Sequence, residues 1–446
     1  MERLRLKCPY NASKRREAVR YFFTQIKKER PPAEASVLSL SRNLFSGEED
    51  FTKSFGKPSS LESDLLILAS SIFAADRAYA RGERENITRN VRLSVPIVNY
   101  ACLYPLVPLI EKALYRLSND GWQIEFRQRA GSPEKKGRYK VGAGQTLLFS
   151  GGLDSLAAAI EYGGAGSDLQ LVSHITRNRI TQKSQKELST LLKARGYVLP
   201  HYQCFISSRS GGPSELEHDE ENSQRTRSFV FLVLGAIMAR RAGHGQLIYL
   251  AENGPMAIHL PLTNGRVGAF STHTAHPEVL SCIQEFIANA LNVDFSIVNP
   301  YVHRTKKEVV EVVFRNFPES IPISNSCWKN AHLPSGVTHC GSCIPCFIRR
   351  IAIESFTADI TRYHRDPWVE NVSELSPDDE ARRNLADLTE LIKRFEVYND
   401  ETILSEWPEL YSPIINAGEV ISMYRRFARE ARTVMGQYPM LRPFLS

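Results

Sequence analysis

At 446 residues the chain exceeds the ~100–200 residues of one ordinary domain, which predicts two or three domains. Its hydrophobic content of 42% supplies a core, while the longest apolar run, residues 229–239, falls short of the ~20 residues that span a bilayer and reads as a buried helix instead of an anchor. A net charge of +7, from 56 basic and 49 acidic residues, suits a phosphate-bearing ligand but is too small to make nucleic acid an expected substrate. The opening Met1-Glu2-Arg3-Leu4-Arg5-Leu6-Lys7 has no apolar segment before a cleavage site, so a cytoplasmic location is expected.

Residues 1–140 read as an α+β accessory domain without a catalytic constellation of its own. Residues 61–81 carry Leu65, Leu68, Ile72, Ala75 and Ala78 at helical spacing, and residues 90–98 alternate polar and apolar like a half-buried strand. A helix follows through Leu117, and Asn119-Asp120-Gly121 turns the chain into a second alternating strand, residues 122–127. The basic groups Lys14-Arg15-Arg16 and Lys135, Lys136, Arg138 and Lys140 read as solvated faces.

Residues 141–326 read as the central α/β domain, a doubly wound parallel sheet. Leu147, Leu148 and Phe149 suggest a buried parallel strand, Ser150-Gly151-Gly152 a tight turn, and Asp154 onward the first turn of an Ala-rich helix. Without Cβ atoms, Gly151 and Gly152 let backbone amides close on a phosphate. Ser150, Ser155 and the unpaired N–H groups of the helix add donors, and the helix dipole adds roughly half a positive charge. Neither a Gly-Lys-Ser/Thr ending nor GxGxxG is present, which excludes the P-loop and dinucleotide motifs.

Further strands are expected at 170–174, 202–206 and 247–250, with helices at 154–162, 181–194 and 222–242. Ligands of such sheets bind beyond the carboxyl ends of the strands, which brings residues 173–176, 207–209 and 251–254 around the glycine turn. Residues 211–222 read as a surface loop in preference to a metal site at His218 and Asp219. Arg225 and Arg227 fall in the first turns of a helix, where cations are unfavourable unless an anion is bound, so a phosphate or carboxylate partner is expected there.

Cys327, Cys340, Cys343 and Cys346 have the spacing C-x12-C-x2-C-x2-C over residues 327–356, which predicts a structural tetrahedral zinc site, with His332 or His339 as rivals for one ligand position. Cys8, Cys102, Cys204 and Cys282 are scattered and read as small buried hydrophobes. Residues 357–446 are expected to be helical and amphipathic, as at 384–395 and 421–434, packing on the core or meeting a partner.

The run Ser150-Gly151-Gly152-Leu153-Asp154-Ser155 resembles the signature of the PP-loop ATP pyrophosphatases. Followed in order by Arg227-Ser228, Thr305-Lys306-Lys307-Glu308-Val309-Val310 and the cysteines, it resembles the 7-cyano-7-deazaguanine synthases, the QueC family, over residues 145–355. That resemblance implies an adenine nucleotide alpha hydrolase-like fold and a C–N ligase that uses ATP to activate the carboxylate of 7-carboxy-7-deazaguanine as an acyl adenylate. It implies that Ser150 to Ser155 hold the pyrophosphate of ATP, that Asp154 also lies near Mg²⁺, that Lys306 reaches a phosphate and that Arg227 meets nucleotide or substrate carboxylate. The four cysteines would bind Zn²⁺. Where the family has its short substrate-binding segment, this chain has Glu252-Asn253-Gly254 and then the stretch containing His273 and His276, which become the substrate-contact candidates. The chain departs from the family in its greater length, its first domain and its Ser228, where the family has Asn. The longer form resembles the QueC-like proteins of bacterial anti-phage systems, the QatC component of Qat defence among them, which implies transfer to an amine on a partner protein of the same operon instead of to ammonia. A tRNA-modifying PP-loop enzyme and a non-enzymatic nucleotide-binding scaffold are the alternative readings.

Overall fold

The computed structural model describes residues 19–26, 29–81, 88–134, 144–208, 221, 224–242, 247–262 and 273–446. Among the described residues ten strands make two sheets: β1 (Val19–Gln25), β2 (Ser36–Ser39), β3 (Leu44–Ser46), β4 (Asn90–Ile97), β5 (Gly121–Gln128), β6 (Gln145–Leu148), β7 (Leu169–Ile175), β8 (His201–Ser208), β9 (Leu247–Tyr249) and β10 (Ser296–Val298). The first sheet has the order β2-β1-β4-β5, and every neighbouring pair in it is parallel. The α+β expectation for residues 1–140 is therefore wrong, since this stretch builds a parallel sheet. The alternation in β4 misled because Ser94 and Pro96, polar or punctuating in type, are buried along with Leu93, Val95 and Ile97. A central parallel strand is covered on both faces.

The second sheet has the order β10-β9-β6-β7-β8-β3, parallel throughout except for β3 against β8. From β6 the chain winds outward through β7 and β8, then returns to the other side of β6 to lay down β9 and β10. The winding direction thus reverses between β6 and β9, and the space beyond the carboxyl ends of those two strands is the switch point at which sheets of this kind bind ligands.

The boundary at residue 140 divides neither the sheets nor the core cleanly. Strand β3 crosses to the edge of the second sheet, and one buried cluster runs from Phe22 of β1 through the helix Ser60–Arg77 to the helices Arg227–Ala242 and Pro277–Leu291. Each fully buried Leu, Ile or Phe contributes roughly 1.5–3 kcal/mol, so this shared cluster, which includes Leu66, Ile72, Leu232 and Ile237, holds the two sheets against one another. The apolar run 229–239 is the buried middle of that helix, and Gly235 permits its approach to β6, since a Cβ there would lie 2.6 Å from Leu148 Cδ2. Among the described residues no helix is long and apolar enough to cross a membrane.

On the opposite face, Leu147 and Phe149 pack with the Ala-rich helix Leu153–Tyr162 and with Val309, Val310 and Val313 of the helix Lys306–Asn316. The C-terminal helices Glu380–Val397 and Ala417–Met435 bury their apolar stripes against the helix Ile344–Glu354 and against Ile258 and Leu260, so this region packs on the body of the protein as its periodicity predicts.

Candidate active site

Strand β6 runs into Ser150, which is exposed, and then into Gly151 with φ +84°, a left-handed conformation that favours glycine. A Cβ at Gly151 would lie 3.0 Å from Gln185 Cγ and 3.1 Å from Gln185 N, so space as well as torsion demands glycine here. Gly152 is the N-cap of the helix Leu153–Tyr162 and is extended (φ −93°), and among the described residues no side chain caps the first turn. The N–H groups of that turn therefore face the carboxyl end of β6 without a side-chain acceptor. Ser150 Oγ lies 3.2 Å from Ser155 Oγ, and the Ser155 hydroxyl donates to the Gly152 carbonyl at 3.1 Å. An uncapped ten-residue helix flanked by two hydroxyls fits an anion of phosphate type.

Three separate segments converge behind this turn. Lys306, first residue of its helix, is fixed by a capping box in which Thr305 Oγ1 accepts from Glu308 N at 3.2 Å and Glu308 Oε2 accepts from Thr305 N at 2.8 Å. Its ammonium donates to Asp154 Oδ2 at 2.7 Å, and both residues are buried. Asn253, from the loop after β9, donates through Nδ2 to the same Asp154 oxygen at 3.2 Å and to Glu252 Oε1 at 3.3 Å. Burial, followed by the Asp154 carboxylate beside it, pushes the Glu252 carboxyl up to about 8, against the opposing pull of Lys306. Asp154 Oδ1 and Asn253 Oδ1 are buried with no hydrogen-bond partner among the described residues. Two such oxygens beside a second carboxyl are the donors that Mg²⁺ takes.

The next helix begins at Arg227, later than the expected residue 222, so Arg225 lies in the turn before it, and the two arginines part company. Asp76 Oδ2 accepts from Thr226 N at 3.0 Å and from Thr226 Oγ1 at 2.9 Å, so the first stretch of chain supplies an anion at that helix start. Arg225, 2% exposed, donates to the Ser118 carbonyl at 2.9 Å with Asp120, Asp76 and Glu221 around it. At Arg225, then, the anion expected from outside is provided by the protein itself. Arg227 is half-buried and forms no hydrogen bond or ion pair through its side chain among the described residues. Its charge acts on His174, whose imidazole is lowered to about 3 mainly by burial and then by Arg227, while His174 Nε2–H donates to the Ile206 carbonyl at 2.8 Å. Arg227 is not brought into bonded contact with Asp154, Glu252 or Lys306.

His273 likewise stands apart from Asp154. Its ring lies 5.4 Å from that of His276 and 6.4 Å from that of His259, centroid to centroid. Sequence reading missed His259, and it missed Gln185 and Asn325, which wall the glycine turn; no local motif marks any of them. Arg209, His218, Asp219, Cys8 and the basic groups at 14–16 and 135–140 lie outside the described residues.

The cysteines of the second motif do converge. The Sγ atoms of Cys327, Cys340, Cys343 and Cys346 all lie within 4.8 Å of one another, buried, and the group could hold a metal ion such as zinc. Separations of 3.3 Å (Cys343 to Cys346) and 3.9 Å (Cys340 to Cys346) bracket the ~3.8 Å edge of a tetrahedron with Zn–S of about 2.3 Å and are far from the ~2.05 Å of a disulfide. Backbone N–H groups of Lys329 and Cys340 donate to Cys327 Sγ at 3.3 Å, and that of Ser342 to Cys340 Sγ at 3.4 Å, which favours thiolates. Gly341 (φ +79°) is obligatory, because a Cβ would meet the Arg365 carbonyl oxygen at 1.9 Å. His339 is no rival ligand: Nε2 accepts from Ser326 N at 3.1 Å and Nδ1 lies 2.8 Å from Thr338 Oγ1. The side chain of His332 lies outside the described residues. Cys204 and Cys282 are buried as expected, and Cys102 is half-buried.

No protein-family model matches this chain, and a search of the curated proteins finds no relative. The chemistry of the site rests on the switch-point geometry and on the order of its motifs.

Proposed function

We propose that the protein is a QueC-like PP-loop enzyme that couples ATP cleavage to AMP with activation of the 7-carboxy-7-deazaguanine carboxylate, and transfers the acyl group to an amine. The observation that carries this reading is the buried Lys306–Asp154 pair, 2.7 Å apart, beside an uncapped glycine turn at the switch point of a parallel sheet. In the first step a carboxylate oxygen attacks the α-phosphorus of ATP and the bond to the bridging oxygen breaks, releasing pyrophosphate. In the second the amine nitrogen attacks the acyl carbon and AMP departs.

Ser150, Gly151, Gly152, Leu153 and Ser155 present amide and hydroxyl donors to the pyrophosphate portion. Lys306 offsets the charge that grows on the leaving group, where a fixed cation in a dry site acts most strongly. Asp154 Oδ1, Asn253 Oδ1 and Glu252 are the oxygens that would hold Mg²⁺, which when bound neutralises phosphate oxygens. Arg227, with no partner of its own among the described residues, would orient the substrate carboxylate, and His273 would meet the heterocycle. Cys327, Cys340, Cys343 and Cys346 fill all four positions of a zinc ion, so its contribution is structural. The setting we infer is cytoplasmic anti-phage defence, with the amine supplied by a partner protein of the same operon.

The test is incubation with ATP, Mg²⁺ and 7-carboxy-7-deazaguanine, with AMP and pyrophosphate measured. Formation of AMP that depends on the deazapurine is expected. Release of ADP alone, or of AMP at the same rate without the deazapurine, would overturn the assignment.

A further inference from the structure

His259 ends the short helix Gly254–Ile258 in a left-handed conformation (φ +51°), one helical segment away from Asn253. Tyr424 clamps that segment from the C-terminal region: its hydroxyl accepts from Leu260 N at 3.2 Å and donates to the Pro255 carbonyl at 3.3 Å. The imidazole so placed lies nearly parallel, at 9°, to the indole of Trp328, with centroids 6.2 Å apart. That separation is at the far end of the ~4.5–7 Å range of aromatic pairs, so neither ring fully covers the other. Trp328 is 48% exposed, which is unusual for an indole held beside a buried cysteine cluster. His273 meets His259 at 64° and stands edge-on to His276 at 82°. His276 is itself fixed, because its Nδ1 accepts from Glu278 N at 3.3 Å at the start of the helix Pro277–Leu291.

Three imidazoles thus follow one another, His276 to His273 to His259, and the last stands beside an open indole. The Nδ1 atoms of His259 and His273 are buried and have no hydrogen-bond partner among the described residues. Native proteins pair such atoms, so two in one place point to a partner that arrives with a ligand. Burial holds the imidazoles of His259 and His276 down to about 4 and lowers that of His273 as well; the neighbouring His273 and then Arg225 add to the effect at His259, where a hydrogen bond to the Met256 backbone opposes it, and Arg225 adds to it at His273. Arg116 and Glu278 are the other charged groups acting on His273 and His276. At neutral pH the three rings are uncharged, able to donate or accept toward a polar ring edge but not to serve as cations.

We propose that Trp328 and His259 form the stacking face, and the Nδ1 atoms of His259 and His273 the polar edge, of a subsite that takes the flat heteroaromatic ring of the carboxylate substrate. An aromatic face plus convergent hydrogen-bonding edges is how proteins hold a purine-like ring outside a duplex. Asn253, which donates to Asp154 Oδ2, and His259 lie at the two ends of one short helix, Gly254–Ile258, so the segment that carries the ring cluster also reaches the Asp154–Lys306 pair. This assignment rests on the reading of the site as an activator of a heteroaromatic carboxylate, and it adds residues of which only His273 and His276 were singled out by sequence.

The experiment is equilibrium binding of 7-carboxy-7-deazaguanine and, separately, of ATP with Mg²⁺, to the full chain and to Trp328→Ala, Trp328→Phe, His259→Ala and His273→Ala, with zinc measured in each. Expected is a loss of at least about tenfold in deazapurine affinity in Trp328→Ala, partly restored in Trp328→Phe, and a loss in both histidine variants, all with ATP affinity unchanged. Deazapurine binding that is strong in the wild type and unaltered in Trp328→Ala and His259→Ala would overturn the subsite and leave the proposed reaction standing. A fall in ATP affinity instead would assign the rings to adenine and also overturn it. Absence of deazapurine binding in the wild type would remove the proposed reaction and this subsite together.

Discussion

The backbone N–H of Asn325 donates to the carbonyl of Gly151 at 3.0 Å, while its side-chain oxygen accepts from Cys327 N at 3.1 Å. One residue therefore fastens the first residue of the cysteine cluster to the turn that ends β6. Arg349, fully buried, holds the same approach by donating to Ser324 Oγ at 2.9 Å and to the Ile321 carbonyl at 2.6 Å.

Loss of the metal should for that reason be felt at the turn. Cys343→Ser is expected to release about one zinc per chain and to lower stability by roughly several kcal/mol, since a structural zinc contributes folding free energy directly. Because Asn325 is then less well held, ATP affinity should also fall. Elemental analysis, thermal unfolding and calorimetry check the three effects; wild-type protein purified without chelator that carries no zinc would contradict the first.

Gly151→Ala isolates the turn itself. At φ +84° an alanine costs roughly 1–2 kcal/mol, and its methyl crowds the backbone of Gln185. The fold should survive while ATP binding is largely lost. Unchanged ATP affinity in a folded variant would show that the turn is not the phosphate cradle.

Lys306→Ala leaves the Asp154 carboxylate buried without its cation. Breaking such a pair typically destabilises by roughly 3–5 kcal/mol, and removing a fixed charge at a leaving group typically lowers turnover by about 10²-fold or more. The double variant Lys306→Ala with Asp154→Asn should recover stability but not AMP formation. Recovery of both would show that the pair is only structural.

Arg227→Gln and Arg225→Gln should behave oppositely. Arg225 is buried and bonded to the Ser118 carbonyl, so its loss should destabilise by roughly 1–3 kcal/mol. Arg227 breaks no ion pair when replaced, so stability should hold while KM for the carboxylate rises. Denaturant unfolding of both variants together with steady-state kinetics of Arg227→Gln decides this, and a KM unchanged in Arg227→Gln would remove it from the site.

The C-terminal helix introduces a pH dependence at the same place. Glu430 accepts from Thr305 Oγ1 at 3.0 Å, its second oxygen is buried without a partner among the described residues, and burial pushes its carboxyl up to about 7 from 4.5. A raised carboxyl binds its proton more tightly in the folded state, so its stabilising contribution is complete below about 4.5 and is lost as pH rises through about 7. Glu430→Gln should therefore flatten the stability profile between those values and exceed the wild type in relative stability at pH 8. Parallel profiles for the two proteins would contradict the linkage.

Local chemistry alone determined a good part of this protein. Thiols spaced two residues apart around Gly341, and glycines between an apolar run and an Ala-rich helix, leave few alternatives, because the ligand spacing and the left-handed torsion are properties of neighbouring residues. The alternation of strand and helix from β6 to β9 was legible for the same reason, hydrophobic period being a local signal.

Tertiary structure alone decided the remainder. That β4 is covered on both faces, that β3 closes the second sheet, and that Asp76 meets the start of the helix Arg227–Ala242 depend on which elements pack together, and small or charged residues carry no local mark of their partner. The site divides along the same line. Asp154, Lys306 and Asn253 meet because the winding reverses between β6 and β9, whereas His259, Trp328 and His273 come from segments with no shared motif, Tyr424 holding the backbone beside His259 and the cysteine cluster that beside Trp328. Residues far apart in a chain converge through the packing of the elements that bear them, and no spacing in the sequence encodes that distance.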